Sequence, residues 1–216
     1  MEFTEHTLSK TLSVPPLAPR WKGAPSREAV RQLNERCVEV LCEAATEDFP
    51  ATTLPVITEH RTLWRTLPLE ARRLVAQIPF AIVDAQFGNE ASWQQLVQDR
   101  AGFAVHATGL PGDVRHELMH ETLMFAWQIA RWDREVALMA FGMRPAVADL
   151  ILALTPRQLR TIAATEHGGI QVRWADDLAF WRELLLAARA GNDEKLAELH
   201  LQAKLLLCSE LAKIKS

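Results

Sequence analysis

The chain is predicted to be all-α: a multi-helix orthogonal bundle from two degenerate copies of a helical unit, each with one short extended segment. Three observations predict this. Strong helix formers (Ala, Leu, Arg, Glu, Gln) dominate the 216 residues, and there are only nine glycines. Apolar residues recur three and four positions apart between proline and glycine breaks. Finally, one stretch of the chain resembles another stretch 88 residues later. With 49% hydrophobic residues, the chain can build one large core or two small ones.

Residues 1–25 read as an extended lead, because VPPLAP and GAP break any helix and Trp21 could tack the segment to the body. Ser26 is the expected N-cap of a helix to Thr46, with Val30, Leu33, Cys37, Val38, Leu41 and Cys42 on one face. Pro50 and Pro55 interrupt, and a short helix is expected over Leu54–Trp64. Pro68 is suited to the first turn of the helix LEARRLVAQ, which Pro79 ends. PFAIVDAQF reads as extended, and Asn89 caps EASWQQLVQ. Residues 26–100 thus form the first unit, and 101–112, with Gly102, Gly109, Pro111 and Gly112, form a linker.

Residues 113–216 form the second unit plus a C-terminal helix. One long helix is expected over Val114–Phe141, stopped by Gly142. Pro145 starts a short helix to Leu152, and Pro156 starts RQLRTIAATE, which His167-Gly168-Gly169 ends. IQVRW reads as extended. Asp176 is the expected cap of a helix to Ala190, Gly191 ends it, and Asp193 opens the last helix, to about Lys213.

The repeat emerges when the stretch from Leu67 is set against the one from Thr155. Pro68 and Pro156 are followed four residues later by Arg72 and Arg160, then by the apolar pairs Leu74-Val75 and Ile162-Ala163. Each helix gives way to an extended run ending near Phe87 or Trp174, then to a capped helix bearing Trp93 or Trp181. A two-fold arrangement inside one chain is the expected consequence.

The net charge of −3 advertises no nucleic-acid or membrane partner. Charge is nonetheless uneven: Lys10, Arg20, Lys22, Arg27, Arg31 and Arg36 outnumber Glu28 and Glu35 over residues 10–36, while 176–198 lean acidic. Three cysteines, Cys37, Cys42 and Cys208, with no CxxC pair, argue against a disulfide scaffold or a cysteine zinc site. The first ten residues lack the basic and apolar regions of a signal peptide, and no apolar run reaches the roughly 18–20 residues of a membrane span. A cytoplasmic protein is expected.

His116-Glu117-Leu118-Met119-His120 is an HExxH on an expected helix, the spacing that puts two imidazoles and a general base on one face. Here it reads as coincidental. Glu121 is charged where zinc proteases keep an uncharged residue, Asp113 and Arg115 flank the motif, and no glycine–histidine continuation follows. Glu135 on the same helix would lie roughly 22 Å away, too far to share a metal. No cofactor is implied. Asp176-Asp177 is explained by capping, and Trp127 and Trp181 fall on apolar faces suited to a core or interface. Arg157, Arg160 and Arg173 give the second unit a basic edge able to meet phosphate or a partner.

The second unit carries a recognisable series: Ala140-Phe141-Gly142, Leu150, Leu154-Thr155-Pro156, Leu159, Ile162-Ala163 and Val172–Trp174. Over residues 118–190 this order resembles the FlhD family, the D subunit of the flagellar master regulator. The resemblance implies an all-helical subunit that dimerises and joins a C-type partner, which supplies much of the DNA contact, to activate transcription. This chain departs from that pattern in being about twice as long, with two units, and in its proline-rich lead.

The leading expectation is therefore a transcriptional regulator or co-regulator subunit, partnered by a C-type subunit or RNA polymerase, with DNA reached through the complex and homo-oligomers compatible. A helical adaptor of a secretion or flagellar system is the alternative. A zinc hydrolase on His116, Glu117 and His120 is a remote third. In either of the first two readings the last helix, with Leu199, Leu205, Leu206 and Leu207, is the candidate docking face.

Overall fold

The computed structural model describes residues 24–46, 54–99, 110, 112–164 and 169–213. The extended lead up to residue 23, Pro50, most of the linker and the helix end at His167-Gly168 lie outside the described residues. Among the described residues there are ten helices and one two-stranded pairing, an all-α fold.

Helix α1 spans Ala24–Thr46, starting two residues before the expected cap, so that Ser26 falls inside the first turn behind Pro25. Its inward face, with Leu33, Cys37, Val38 and Leu41, is fully buried. Asn34 on that face is the main polar group in this part of the core. Its amide nitrogen donates to the carbonyls of Ala76 (3.3 Å), Ile78 (3.0 Å) and Phe80 (3.0 Å), and its oxygen accepts from the Ile82 N–H (3.0 Å). A single side chain thereby satisfies the irregular segment that follows α3, where backbone groups would otherwise be buried unpaired.

Helices α2 (Pro55–Arg65) and α3 (Leu69–Val75) follow as expected, except that Pro68 is the N-cap rather than inside the first turn. Of PFAIVDAQF only Val83–Asp84 forms a strand, β1. Helix α4 runs Glu90–Asp99, with Asn89 accepting from the Ser92 N–H at 3.1 Å.

The single long helix expected over Val114–Phe141 is two: α5 (Gly112–Trp132) and α6 (Arg134–Phe141). The break is at Asp133, whose extended backbone lets its carboxylate accept from the Val136 N–H at 3.1 Å. A short acidic side chain competing for backbone donors favours a cap over a helix interior. Gly142 ends α6 at φ +58, and a Cβ there would lie 2.8 Å from Leu207 Cδ1 and 3.2 Å from an Arg173 nitrogen. The position therefore needs glycine for both conformation and space.

Helices α7 (Pro145–Ala153) and α8 (Pro156–Ala163) follow, α8 opening with a capping box between Thr155 and Gln158. Strand β2 is Gln171–Val172. Helix α9 (Leu178–Ala190) is capped by Asp177 rather than Asp176, since it is Asp177 that accepts from the Phe180 N–H at 3.0 Å. Helix α10 (Asp193–Lys213) begins behind Asn192, which accepts from the Lys195 N–H at 3.0 Å.

The strands pair antiparallel, Val83 opposite Val172 and Asp84 opposite Gln171. Around them the two units share one core instead of closing two. Helix α4 packs against α7, while α9 packs against α2 and α3. Trp64 of α2 and Trp181 of α9 meet with ring centroids 5.7 Å apart, and Phe87 after β1 meets Phe141 of α6 edge-on at 5.6 Å.

Burial decides the chemistry of the cysteines. Cys37 and Cys42 are buried, which pushes their thiols up to about 12 and about 11, whereas Cys208 on α10 is exposed. An aromatic disulfide reagent at neutral pH should label one cysteine per native chain promptly and all three after denaturation. Rapid native labelling of two or more would contradict this packing.

Candidate functional site

The arginines expected to form one basic edge are split by the structure. Arg157 and Arg160 are exposed on α8. Thr155 fixes where α8 starts: its hydroxyl accepts from the Gln158 N–H at 3.3 Å, and Gln158 Oε1 accepts from the Thr155 N–H at 2.9 Å. Leu159, Ile162 and Ala163 face the core, which turns Arg157 and Arg160 outward. Arg157 also lines a groove of about 360 Å³ with Leu96 and Val97 of α4 and with Leu154, Thr161 and Ile162.

Arg173 corrects the sequence expectation, since it belongs to the interior and not to a surface edge. Its side chain is only 4% exposed. Nε donates to the Ala81 carbonyl at 3.1 Å, and one terminal nitrogen donates to the Phe141 carbonyl at 2.6 Å and the Asp84 carboxylate at 3.2 Å. The other donates to Glu210 on α10 at 2.8 Å. A guanidinium satisfies this set because its donors fan out in one plane, which an ammonium cannot reproduce. The residue just after β2 thus ties together the segment before β1, the end of α6 and the last helix.

Helix α10 is likewise divided. Leu196, Leu199, Ala203 and Leu207 turn inward and Leu206 is half-buried, whereas Leu201 and Leu205 are about 60% exposed (61% and 62%). Of the expected docking leucines, Leu199 and Leu207 are therefore core residues. Leu205 does face out, and its outward neighbour is Leu201, which the sequence reading passed over. Successive positions turn about 100°, so residues 205–207 cannot share a face, whereas 201 and 205 can. That periodicity was the available signal.

Within the HExxH segment, Glu117 is engaged by another helix. Glu117 accepts from Arg36 of α1 at 2.9 Å, and Glu121 lies 4.0 Å from the same guanidinium. Burial raises the Glu121 carboxyl against the opposing pull of Arg36. His116 and His120 are half-buried, and among the described residues no three His, Cys, Asp or Glu side chains cluster as a metal site. No single helix among the described residues is long and apolar enough to cross a membrane.

The exposed features of the second unit thus include an arginine pair on a capped helix and an apolar pair on the last helix. A family model described as the flagellar transcriptional activator FlhD matches residues 116–213. Over that stretch, which runs from within α5 to the end of α10, the chain is similar to the FlhD family of transcriptional activators. No curated protein and no solved structure matches the chain.

Two predictions follow from the Arg173 network. Arg173→Lys should destabilise the fold by about 3–5 kcal/mol in urea unfolding, because it unpairs buried acceptors that only the fork can reach; a loss under about 1 kcal/mol would contradict the network. Burial also raises the Glu210 carboxyl, outweighing the lowering by Arg173. A raised carboxyl makes the fold lose stability as pH climbs above its ordinary 4.5. Glu210→Gln, which cannot ionise, should therefore gain on the wild type between pH 4.5 and 7 in parallel thermal melts; a constant difference would refute that assignment.

Proposed function

We propose that the chain is a transcription-regulating subunit that acts in a heteromeric complex and reaches DNA together with a partner. The observation that carries this reading is the FlhD match, whose span contains both α8 and α10. In this reading Leu201 and Leu205 of α10 dock a protein, either a C-type regulator subunit or RNA polymerase. Arg157 and Arg160 of α8 then approach phosphates or an acidic face of that partner. A net charge of −3 suits such a division, because an acidic subunit gains little from DNA unless a basic partner shares the contact.

Exposed Leu201 and Leu205 also suit a second reading, a helical adaptor that binds a protein and never meets DNA. Co-purification from the native cell, followed by DNA titration of the recovered complex at several salt concentrations, separates the two. The regulator reading expects a regulator subunit or RNA polymerase to co-purify, and log affinity to fall linearly with log salt. It further expects Arg157→Ala with Arg160→Ala to make that slope shallower by about one to two. A complex that binds no DNA at any salt would leave the adaptor.

A further inference from the structure

The first unit lies outside the residues that the family model matches, yet it repeats the second nearly element for element. Helices α1 and α5 begin 88 residues apart, at Ala24 and Gly112; so do β1 and β2, at Val83 and Gln171, and α4 and α9, at Glu90 and Leu178. Helix α3 ends at Val75 and α8 at Ala163, again 88 apart.

The agreement extends to single atoms. Among the described residues, the non-glycine residues with positive φ are Gln86 (+55) and Trp174 (+52), 88 apart. Such a conformation is uncommon for side chains of this size, so its recurrence means that one turn is built twice. Three residues on, the Asn89 N–H donates to the Gln86 carbonyl and the Asp177 N–H to the Trp174 carbonyl, both at 2.8 Å. Asn89 and Asp177 then cap α4 and α9 in the same way. Trp93 Nε1 donates to the Ala85 carbonyl at 3.2 Å and Trp181 Nε1 to the Arg173 carbonyl at 3.3 Å. Each pair is again offset by 88.

The packing is reciprocal. The strands of the two units pair antiparallel, as strands related by a two-fold axis must. Helix α1 lies on its counterpart α5. The last helix of each repeat crosses to the other unit: α4 packs on α7, and α9 on α2, the counterpart of α7. Among the described residues, α6 and α10 have no equivalent in the first unit.

We propose that residues 24–99 are a second FlhD-type unit, and that the chain closes on itself as an approximate two-fold pair. One chain then supplies both halves of an interface that would otherwise require two copies. Covalent linkage favours this closure, because tethering raises the effective concentration of the second unit to the order of millimolar. The proposal does not depend on the regulator reading.

The test uses the full chain. Light scattering on a dilution series should give the mass of one chain, 24.3 kDa. A Val83→Cys/Val172→Cys variant in a Cys208→Ser background should cross-link within one chain on oxidation, with no band at twice that mass on a denaturing gel. A two-chain mass that survives dilution, an interchain cross-link, or no cross-link in a folded variant would overturn the proposal. Should the variant not fold, the wild-type mass decides.

Discussion

The architecture depends on one buried guanidinium. Arg173 reaches the Ala81 carbonyl ahead of β1, the Phe141 carbonyl at the end of α6, and carboxylates on β1 and α10. These four partners come from three separate parts of the chain, so the group can be satisfied only once all three have been assembled. A buried charge without such partners would cost more than the fold could tolerate. Gly142 belongs to the same constraint, because its missing side chain lets Arg173 and Leu207 close over the end of α6.

Asn34 plays a comparable part in the first unit. It accounts for four backbone groups of the segment between α3 and β1 from a single position on α1. Both polar anchors act on irregular backbone next to the paired strands, where ladder hydrogen bonds are few. With that segment fixed, the apolar surfaces of both units, including the crossed α4–α7 and α9–α2 contacts, merge into one core.

Much of the candidate surface was legible in part. Arg157 and Arg160 face outward as an amphipathic reading of α8 expects, since Leu159, Ile162 and Ala163 define the inward stripe. Arg173 looked equivalent because a basic residue in a short extended segment carries no periodicity to say which way it points. On α10 the run Leu205-Leu206-Leu207 looked like one docking face, but consecutive helical positions diverge, and only Leu205 faces out with Leu201. Glu117 of the HExxH is engaged by Arg36, a partner 81 residues away that local spacing cannot reveal.

The sequence by itself determined the helical class and most element boundaries, because propensity, caps and proline breaks act within a few residues of one another. It also carried the 88-residue recurrence of Pro68 and Pro156 and of Trp93 and Trp181. Only the tertiary structure decided that Arg173 is interior and that the last helix of each repeat packs on the other unit. The physical reason is common to both. Each outcome turns on which distant surface or polar group is available, and a chain read along its length holds no record of distances across it.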